Sequence, residues 1–302
     1  MRFSSRHSVA LPTAALPERL SLLLQLSRGR LSALVALSGL AGYLFAGRHW
    51  DLRGLLVAGA ILLLSAGCSA LNQWQERKID ARMERTRLRP LPTGRLQPGQ
   101  VLSIALLLLA GGLLLLALLP GRMPLLLGGA AIVWYNGVYT GLKRLTAYAV
   151  LPGALCGALP PLIGWSAAGG EPTAFPAMML AGTLFLWQMP HFWLLAGRHR
   201  NDHRRSGLPN LFRQFDRRRL FHINNCWLLA LVLSYLQFPL FGLLRSEPLG
   251  YAFLAALSAL TLVTCGELRK GACAADHGKL FGLVNLSMLL LLVTLLLDTL
   301  QP

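Results

Sequence analysis

The sequence is poor in charged residues. Only 14% of its 302 residues are Asp, Glu, Lys or Arg, whereas 54% are hydrophobic. Soluble globular domains carry about 25% charged residues, and the mean hydropathy of +0.52 is well above what such domains show. Intrinsic disorder is excluded as well, because disordered chains have low hydrophobicity. The composition therefore indicates a membrane protein.

Ionisable residues are almost absent from nine long apolar blocks. Each block is close to the ~20 residues that a helix needs to cross the hydrocarbon core of a bilayer, and a spanning segment must satisfy its own backbone hydrogen bonds. The sequence thus predicts an all-α, polytopic membrane protein with about nine transmembrane helices. The blocks cover residues 31–47, 54–72, 101–119, 123–141, 147–168, 174–196, 221–244, 250–268 and 280–299.

Acidic residues are few: 12 stand against 29 Lys and Arg, which gives a net charge of +17. Such an excess suits a nucleic-acid-binding protein, but its distribution opposes that function. With nine crossings, 25 of the 29 basic residues fall on the side of the N-terminus and only Arg48, Arg53, Arg122 and Arg245 on the other. The positive-inside rule makes the basic side cytoplasmic. We expect the N-terminus in the cytoplasm, the C-terminus outside, and no nucleic-acid partner.

Cysteines number five and form no C-x-x-C pair, so neither a zinc site nor a disulfide framework is indicated. Nothing in the chain suggests a second folded unit. We predict a cytoplasmic N-terminal segment over residues 1–30 and a single membrane-embedded domain over residues 31–302.

Polar residues gather instead in the predicted cytoplasmic connections. In "LNQWQERKIDARMERTRLRPLPTGRL", Asn72, Glu76 and Asp80 recur every four residues, so a helix places them along one face. Mg²⁺ takes carboxylate and amide oxygens together with substrate phosphates, and the face is a candidate Mg²⁺–diphosphate site. The alternative is a solvated helix end, in which the carboxylates pair with neighbouring basic residues of the same helix: Arg77, Lys78 or Arg82.

The segment that follows carries arginines at 82, 85, 87 and 89, and then Pro90 and Pro92, which are expected to end the helix. Arginines bind phosphate oxygens in a bidentate manner. Basic residues in a cytoplasmic connection also determine how the protein is oriented in the membrane, which is the alternative role of these arginines.

Two further stretches carry polar residues. In "WQMPHFWLLAGRHRNDHRRSGLPNL", Asp202 is surrounded by arginines, a pattern typical of a salt-bridged surface carboxylate. In "YNGVYTGLKRLT", Lys143 and Arg144 lie in a short loop between two apolar blocks. The neighbouring "GALPPLIGW" is rich in Gly and Pro, which in membrane helices marks a kink or close packing.

Taken together, these three stretches resemble the signature regions of the protohaem IX farnesyltransferase (haem O synthase) branch of the UbiA-type membrane prenyltransferases. The resemblance extends from about residue 30 to "KLFGLVNLSMLLL" and implies that family's helical bundle. It implies catalytic and metal-binding roles for Asn72, Glu76, Asp80 and Asp202, diphosphate binding by Arg85, Arg89, Lys143 and Arg144, and haem contacts by Tyr139 and His191.

The implied reaction joins farnesyl diphosphate to a vinyl group of protohaem IX and gives haem O, with Mg²⁺ as the cofactor. His191 or His222 would ligate the haem iron. Membrane lipid, haem A synthase and a terminal oxidase are the further partners that the resemblance implies. The expected location is the bacterial cytoplasmic membrane, with the mitochondrial inner membrane as the alternative.

Three departures from the branch pattern keep other functions open. Lys78 stands where an aspartate is usual, Asn201 and His203 flank Asp202 in place of Asp and Tyr, and "SRGRL" replaces Lys-Pro-Arg before the first apolar block. Prenylation of an aromatic acid such as 4-hydroxybenzoate would use the same metal site. A transporter or an oxidase-assembly protein would use none of this chemistry.

The charge distribution makes a direct prediction about topology. A reporter fused after residue 90 or residue 210 should be cytoplasmic, and one fused at residue 171 or at the C-terminus should be external. Paired cytoplasmic and external reporter activities measure this, and a cytoplasmic C-terminus would contradict the nine crossings.

Overall fold

A computed structural model describes residues 16–47, 50–198, 209 and 211–300, and these residues are helical with short connections. The helices are α1 (Leu16–Leu26), α2 (Gly29–Phe45), α3 (Leu52–Asp80), α4 (Pro98–Ala117), α5 (Met123–Ile132), α6 (Thr140–Leu145), α7 (Val150–Ala167), α8 (Phe175–Arg198), α9 (Leu211–Gln214), α10 (Arg217–Leu240), α11 (Glu247–Leu268), α12 (Gly271–Ala274) and α13 (His277–Asp298). A π-helical segment (Val133–Tyr139) joins α5 to α6, and a 3₁₀ turn (Ala147–Ala149) leads into α7.

Each of the nine predicted apolar blocks corresponds to a helix or a continuous helical segment, which confirms the predicted all-helical membrane fold. By length and hydropathy, seven of these segments in the described part of the chain are able to cross a membrane, and the pair α1–α2, bent by 57°, makes an eighth. The remaining block is α8, a helix of 24 residues that contains Gln188, Pro190 and His191. The predicted number of about nine spans is therefore approximate.

The bundle has two packed halves. One apolar core joins α2, α3, α4 and α7 around residues such as Tyr43, Ile61 and Leu116. The other joins α8, α10, α11 and α13 around Tyr235, Phe253 and Leu291. Many leucines on the outer surface are exposed, as expected for side chains that face lipid tails rather than water.

Glycines allow α2 and α7 to approach closely. A Cβ atom added at Gly164 would collide with the backbone of Gly39, and one added at Gly42 would collide with the backbone of Pro161. The Gly- and Pro-rich stretch that indicated a kink or close packing therefore lies at a helix–helix contact, in agreement with the general preference for small residues there.

Helix α3 ends at Asp80, ten residues before Pro90, so the expectation that the prolines end this helix is wrong. Hydrogen bonds close the end of the helix instead. The Thr86 hydroxyl donates to the Asp80 carbonyl over 2.8 Å, and the Arg89 guanidinium donates to the Asp80 carboxylate. The chain from residue 81 to 97 consequently folds back over the end of α3.

The π-helical segment (Val133–Tyr139) is clamped against α3 by reciprocal amide hydrogen bonds. Gln75 donates to the Asn136 carbonyl over 3.0 Å, and the Asn136 side chain donates to Gln75 Oε1 and to the Cys68 carbonyl. Single π-helical turns are frequent at functional sites. This one carries Tyr135 and Tyr139 into the cavity described below.

The contact between α2 and α7 makes a prediction about stability. Gly164→Ala should destabilise the folded protein by about 1–3 kcal/mol, because the added methyl group overpacks a backbone contact. Gly182→Ala is the matched control, since Gly182 is also helical and has open space at its Cβ position. Thermal unfolding in detergent measures both variants, and equal midpoints for Gly164→Ala and the wild type would contradict the predicted close contact.

Candidate active site

A cavity of about 750 Å³ opens at one end of the bundle. The ends of α3, α6 and α8 and the starts of α2, α10 and α13 surround it, so its rim is built from the connections that the charge distribution predicts to be cytoplasmic. The volume falls within the range of ordinary small-molecule sites, about 300–1,000 Å³. Rim residues from these helices are Arg28, Asp80, Lys143, Gly197, Arg217 and His277.

Asn72, Glu76 and Asp80 all line this cavity, as their spacing on one helical face predicted. All three side chains are buried, with residue exposures of 1%, 6% and 3%. Burial of two carboxylates is costly unless cations compensate for them. The residues around Glu76 and Asp80 therefore determine whether these carboxylates belong to a solvated helix end or to a binding site.

The compensating cations come from outside α3. Lys143 Nζ lies 2.7 Å from Glu76 Oε2, and an Arg89 guanidinium nitrogen lies 2.7 Å from Asp80 Oδ2. The alternative of local pairing within α3 is wrong. Arg77 instead donates to the Trp74 carbonyl and stacks on the Trp74 ring, while Lys78 is exposed and does not line the cavity.

Two oxygens of this face are buried and have no hydrogen-bond partner among the residues that the structure describes: Asn72 Oδ1 and Glu76 Oε1. The Asn72 amide is oriented by its nitrogen, which donates to Thr140 Oγ1 over 3.0 Å. Buried polar atoms are normally satisfied, and a hard cation that prefers oxygen ligands fits this unsatisfied pair. No group of three His, Cys, Asp or Glu side chains within the described residues forms a metal site by itself, so the donor set here is mixed amide and carboxylate.

Arg28 is a residue of the site that the sequence analysis missed. It lines the cavity at the bend between α1 and α2, and it is the one non-glycine residue among those described with a positive φ, 49°. Within the described part of the chain its guanidinium has no hydrogen-bond or ion-pair partner. The one sequence feature that points to Arg28 as a site residue is the basic "SRGRL" stretch before the first apolar block.

Arg28, Arg89 and Lys143 present three positive charges to the end of the cavity that holds the two carboxylates, and Arg85 and Arg217 also line the cavity. The pKa of the Arg89 guanidinium is lowered, first by burial and then by the Arg28 charge, while the Asp80 carboxylate opposes the shift. The buried site carries an excess positive charge and is suited to an anionic ligand.

Of the other residues for which the resemblance implies a site role, some line the cavity and others do not. Arg85 and Tyr139 line the cavity, and Lys143 Nζ lies 5.2 Å from the centre of the Tyr139 ring. Arg144 does not line it, and its guanidinium instead donates to the Gln75 carbonyl over 2.9 Å. Asp202 lies outside the described residues.

Of the two histidines expected to ligate the haem iron, one lines the cavity and the other does not. His191 lines the cavity from α8, within a group of aromatic rings. His222 is exposed and does not line it.

Two proteins with sequences similar to this chain carry the same name, protoheme IX farnesyltransferase. It is 43% identical over 244 residues to the protoheme IX farnesyltransferase of Geobacter sulfurreducens, a match that covers 80% of this chain and 88% of that protein. It is 36% identical over 276 residues to the protoheme IX farnesyltransferase of Oleidesulfovibrio alaskensis, covering 91% of this chain and 95% of that protein.

Solved structures share the fold at low sequence identity. A digeranylgeranylglyceryl phosphate synthase superposes with a TM-score of 0.73 at 16% identity, covering 93% of this chain and 99% of that one. A UbiA homologue from Archaeoglobus fulgidus, bound to GPP and Mg²⁺, gives 0.70 at 15% identity, covering 92% and 99%. The UbiA prenyltransferase family also matches residues 33–297 of the sequence. With this match over most of its length, the chain belongs to the UbiA prenyltransferase family.

Proposed function

We propose that this protein transfers the farnesyl group of farnesyl diphosphate to a vinyl group of protohaem IX and produces haem O. The observation that carries the proposal is the charged end of the cavity. Buried oxygens that have no hydrogen-bond partner in the described part of the chain lie there beside three cationic side chains. The names of the relatives favour protohaem as the acceptor. A membrane-embedded cavity also suits two substrates that are both largely apolar.

The metal-binding face would consist of Asn72, Glu76 and Asp80, with Asp202 as the further candidate ligand. Mg²⁺ bound there would supply Lewis-acid neutralisation of the diphosphate, as the Mg²⁺ in the Archaeoglobus fulgidus homologue suggests. The amide of Asn72 is already oriented by Thr140, which keeps Oδ1 free for a cation.

The diphosphate would bind Lys143, Arg89 and Arg28, with Arg85 at the exposed rim. Diphosphate leaves readily only when its developing negative charge is stabilised, and prepositioned cations in a site of low dielectric stabilise it strongly. Arg144 stays a candidate for this role from the resemblance, although its guanidinium is directed to Gln75.

The bond changes balance without a further oxidant or reductant. The bond between C1 of the farnesyl group and the diphosphate oxygen breaks, and the electron pair leaves with diphosphate. The vinyl π electrons form the new carbon–carbon bond to C1. Water then adds to the cationic carbon next to the porphyrin ring and releases a proton, which leaves a hydroxyl group.

The acceptor would lie against the wall of the cavity formed by α8, α10 and α13, with the farnesyl chain between the apolar helices. We assign His191 to the haem iron and Tyr139 to the edge of the haem near the diphosphate, since both line the cavity.

The cavity would open toward the cytoplasm of a bacterium, because its rim belongs to the basic connections. Water-soluble Mg²⁺ and diphosphate would then exchange at this surface, and haem O would pass within the membrane to haem A synthase or a terminal oxidase.

Pigment analysis tests the reaction itself. Membranes that contain this protein, supplied with protohaem and farnesyl diphosphate, should accumulate haem O, as measured by chromatography and mass of the extracted haem. A prenylated phenol in place of haem O would support the aromatic-acid alternative. Unchanged protohaem, from correctly inserted protein, would overturn the proposed activity.

Asp80→Ala should lower turnover at least about 100-fold, which is roughly 2.7 kcal/mol of transition-state stabilisation, as for removal of other electrostatic stabilisers. Glu84→Ala is the matched control, because Glu84 is an exposed carboxylate in the following connection and does not line the cavity. Initial rates of haem O formation measure both. Near-normal turnover of Asp80→Ala would show that the buried face of α3 is purely structural.

Arg28→Gly should weaken binding of inorganic diphosphate with Mg²⁺ by about 10- to 100-fold, the range for loss of a charged hydrogen bond. Glycine adopts a positive φ without strain, so the substitution removes the charge and keeps the backbone. Arg30→Gly removes an exposed charge that does not line the cavity and should leave the affinity unchanged. Calorimetric titration in detergent compares the two, and equal affinities would exclude Arg28 from the anion site.

A further inference from the structure

One wall of the cavity is built around His191. It differs in chemistry from the metal face, which Asn72, Glu76 and Asp80 form. The His191 imidazole packs against the rings of Trp187 and Phe281, with both ring centres 4.7 Å away. Phe192 meets it edge to face at 5.6 Å. The Trp187 indole is itself fixed, because its N–H donates to the Val284 carbonyl over 3.1 Å. The position of the imidazole is therefore set by helices α8 and α13 together.

Asn285 on α13 determines which ring nitrogen is available. His191 Nδ1 lies 2.8 Å from Asn285 Oδ1. An amide oxygen only accepts hydrogen bonds, so Nδ1 carries the proton and donates it. Nε2 then keeps its lone pair. No described residue forms a hydrogen bond with Nε2.

This arrangement is the one that metal-binding histidines use. Such a histidine usually donates its second ring N–H to a carbonyl, carboxylate or water, which fixes the tautomer and strengthens the ligand. The surrounding rings provide no competing charged group. A neutral imidazole with a free nitrogen in a cavity lined by aromatic rings fits the iron of a flat, apolar macrocycle.

His191 and the metal face of Asn72, Glu76 and Asp80 line the same cavity. A macrocycle on His191 would therefore share the cavity with the diphosphate end, and Arg217 at the rim would be available for its carboxylates.

We propose that Asn285 is a positioning residue that holds the imidazole of His191 so that Nε2 ligates the iron of protohaem. This inference rests on the proposed function and adds the iron ligand and the residue that orients it. Asn285 acts through His191 and does not itself touch the haem.

The test is resonance Raman spectroscopy of ferrous protohaem bound to the full-length protein in detergent. The wild type should show an iron–histidine stretching band. His191→Ala should abolish the band, and added imidazole should restore it. Asn285→Leu should shift the band to lower frequency and weaken haem binding about 10- to 100-fold, the usual effect of losing such a partner. Asn285→Asp, a stronger acceptor, should shift it to higher frequency.

Ser287→Ala is the matched control. Ser287 lies on the same helix and forms a buried hydrogen bond of 3.1 Å to Tyr235, but it does not line the cavity. Its loss should lower thermal stability and leave the band unchanged. If the Asn285 variants behave like Ser287→Ala, Asn285 is only structural and the inference is wrong.

The outcome separates this inference from the proposed reaction. Haem O formation together with a band that persists in His191→Ala would overturn the ligand assignment and leave the reaction standing. A His191-dependent band without haem O formation would overturn the reaction and keep the haem site. Absence of any iron–histidine band in the wild type would overturn the inference directly. The Asn285 variants decide the question even where His191→Ala does not fold.

Discussion

Two carboxylates buried near the end of one long helix impose the constraint on which this site depends. An unpaired buried charge costs several kcal/mol, so Glu76 and Asp80 require cations within contact distance. Lys143 reaches Glu76 from α6, and Arg89 reaches Asp80 from the connection after α3. These two ion pairs hold separate parts of the chain around one cavity. The hydrogen bond from the Thr86 hydroxyl to the Asp80 carbonyl also holds the connection after α3 against the end of that helix.

The helices and the shared face of Asn72, Glu76 and Asp80 could be predicted, because both follow from local spacing. Apolar blocks of membrane-spanning length identify the helices, and a repeat of four residues places side chains on one face. The partners of the carboxylates could not be predicted in this way. Several basic residues lie nearby in sequence, yet a helix directs Lys78 to another face, where it is exposed, while the actual partners lie nine and 67 residues away.

Arg28 and the end of α3 show a second limit of local reasoning. Proline predicts where a helix must stop, but α3 stops earlier, and Thr86 and Arg89 form hydrogen bonds to its last residue. Arg28 adopts a positive φ, which costs a non-glycine residue roughly 1–2 kcal/mol. Such a conformation is kept only where the surroundings determine it, frequently at functional sites. Nothing in a stretch of basic residues distinguishes this arginine from its neighbours.

The charges of the cavity are those that the proposed binding of both a metal ion and a polyanion would require. In the proposed reaction, each carboxylate would exchange its cationic side chain for a metal ion, and that side chain would exchange the carboxylate for a phosphate oxygen. Lys143 and Arg89 would thus stay paired, and neither buried carboxylate would be left uncompensated. Arg28 would add the positive charge that favours an anion over water. The wall around His191 carries a hydrogen-bonded imidazole and aromatic rings, so an acceptor bound there would not compete for these charges. This separation of a charged end from an aromatic wall would let one cavity hold the two chemically different substrates of the proposed reaction.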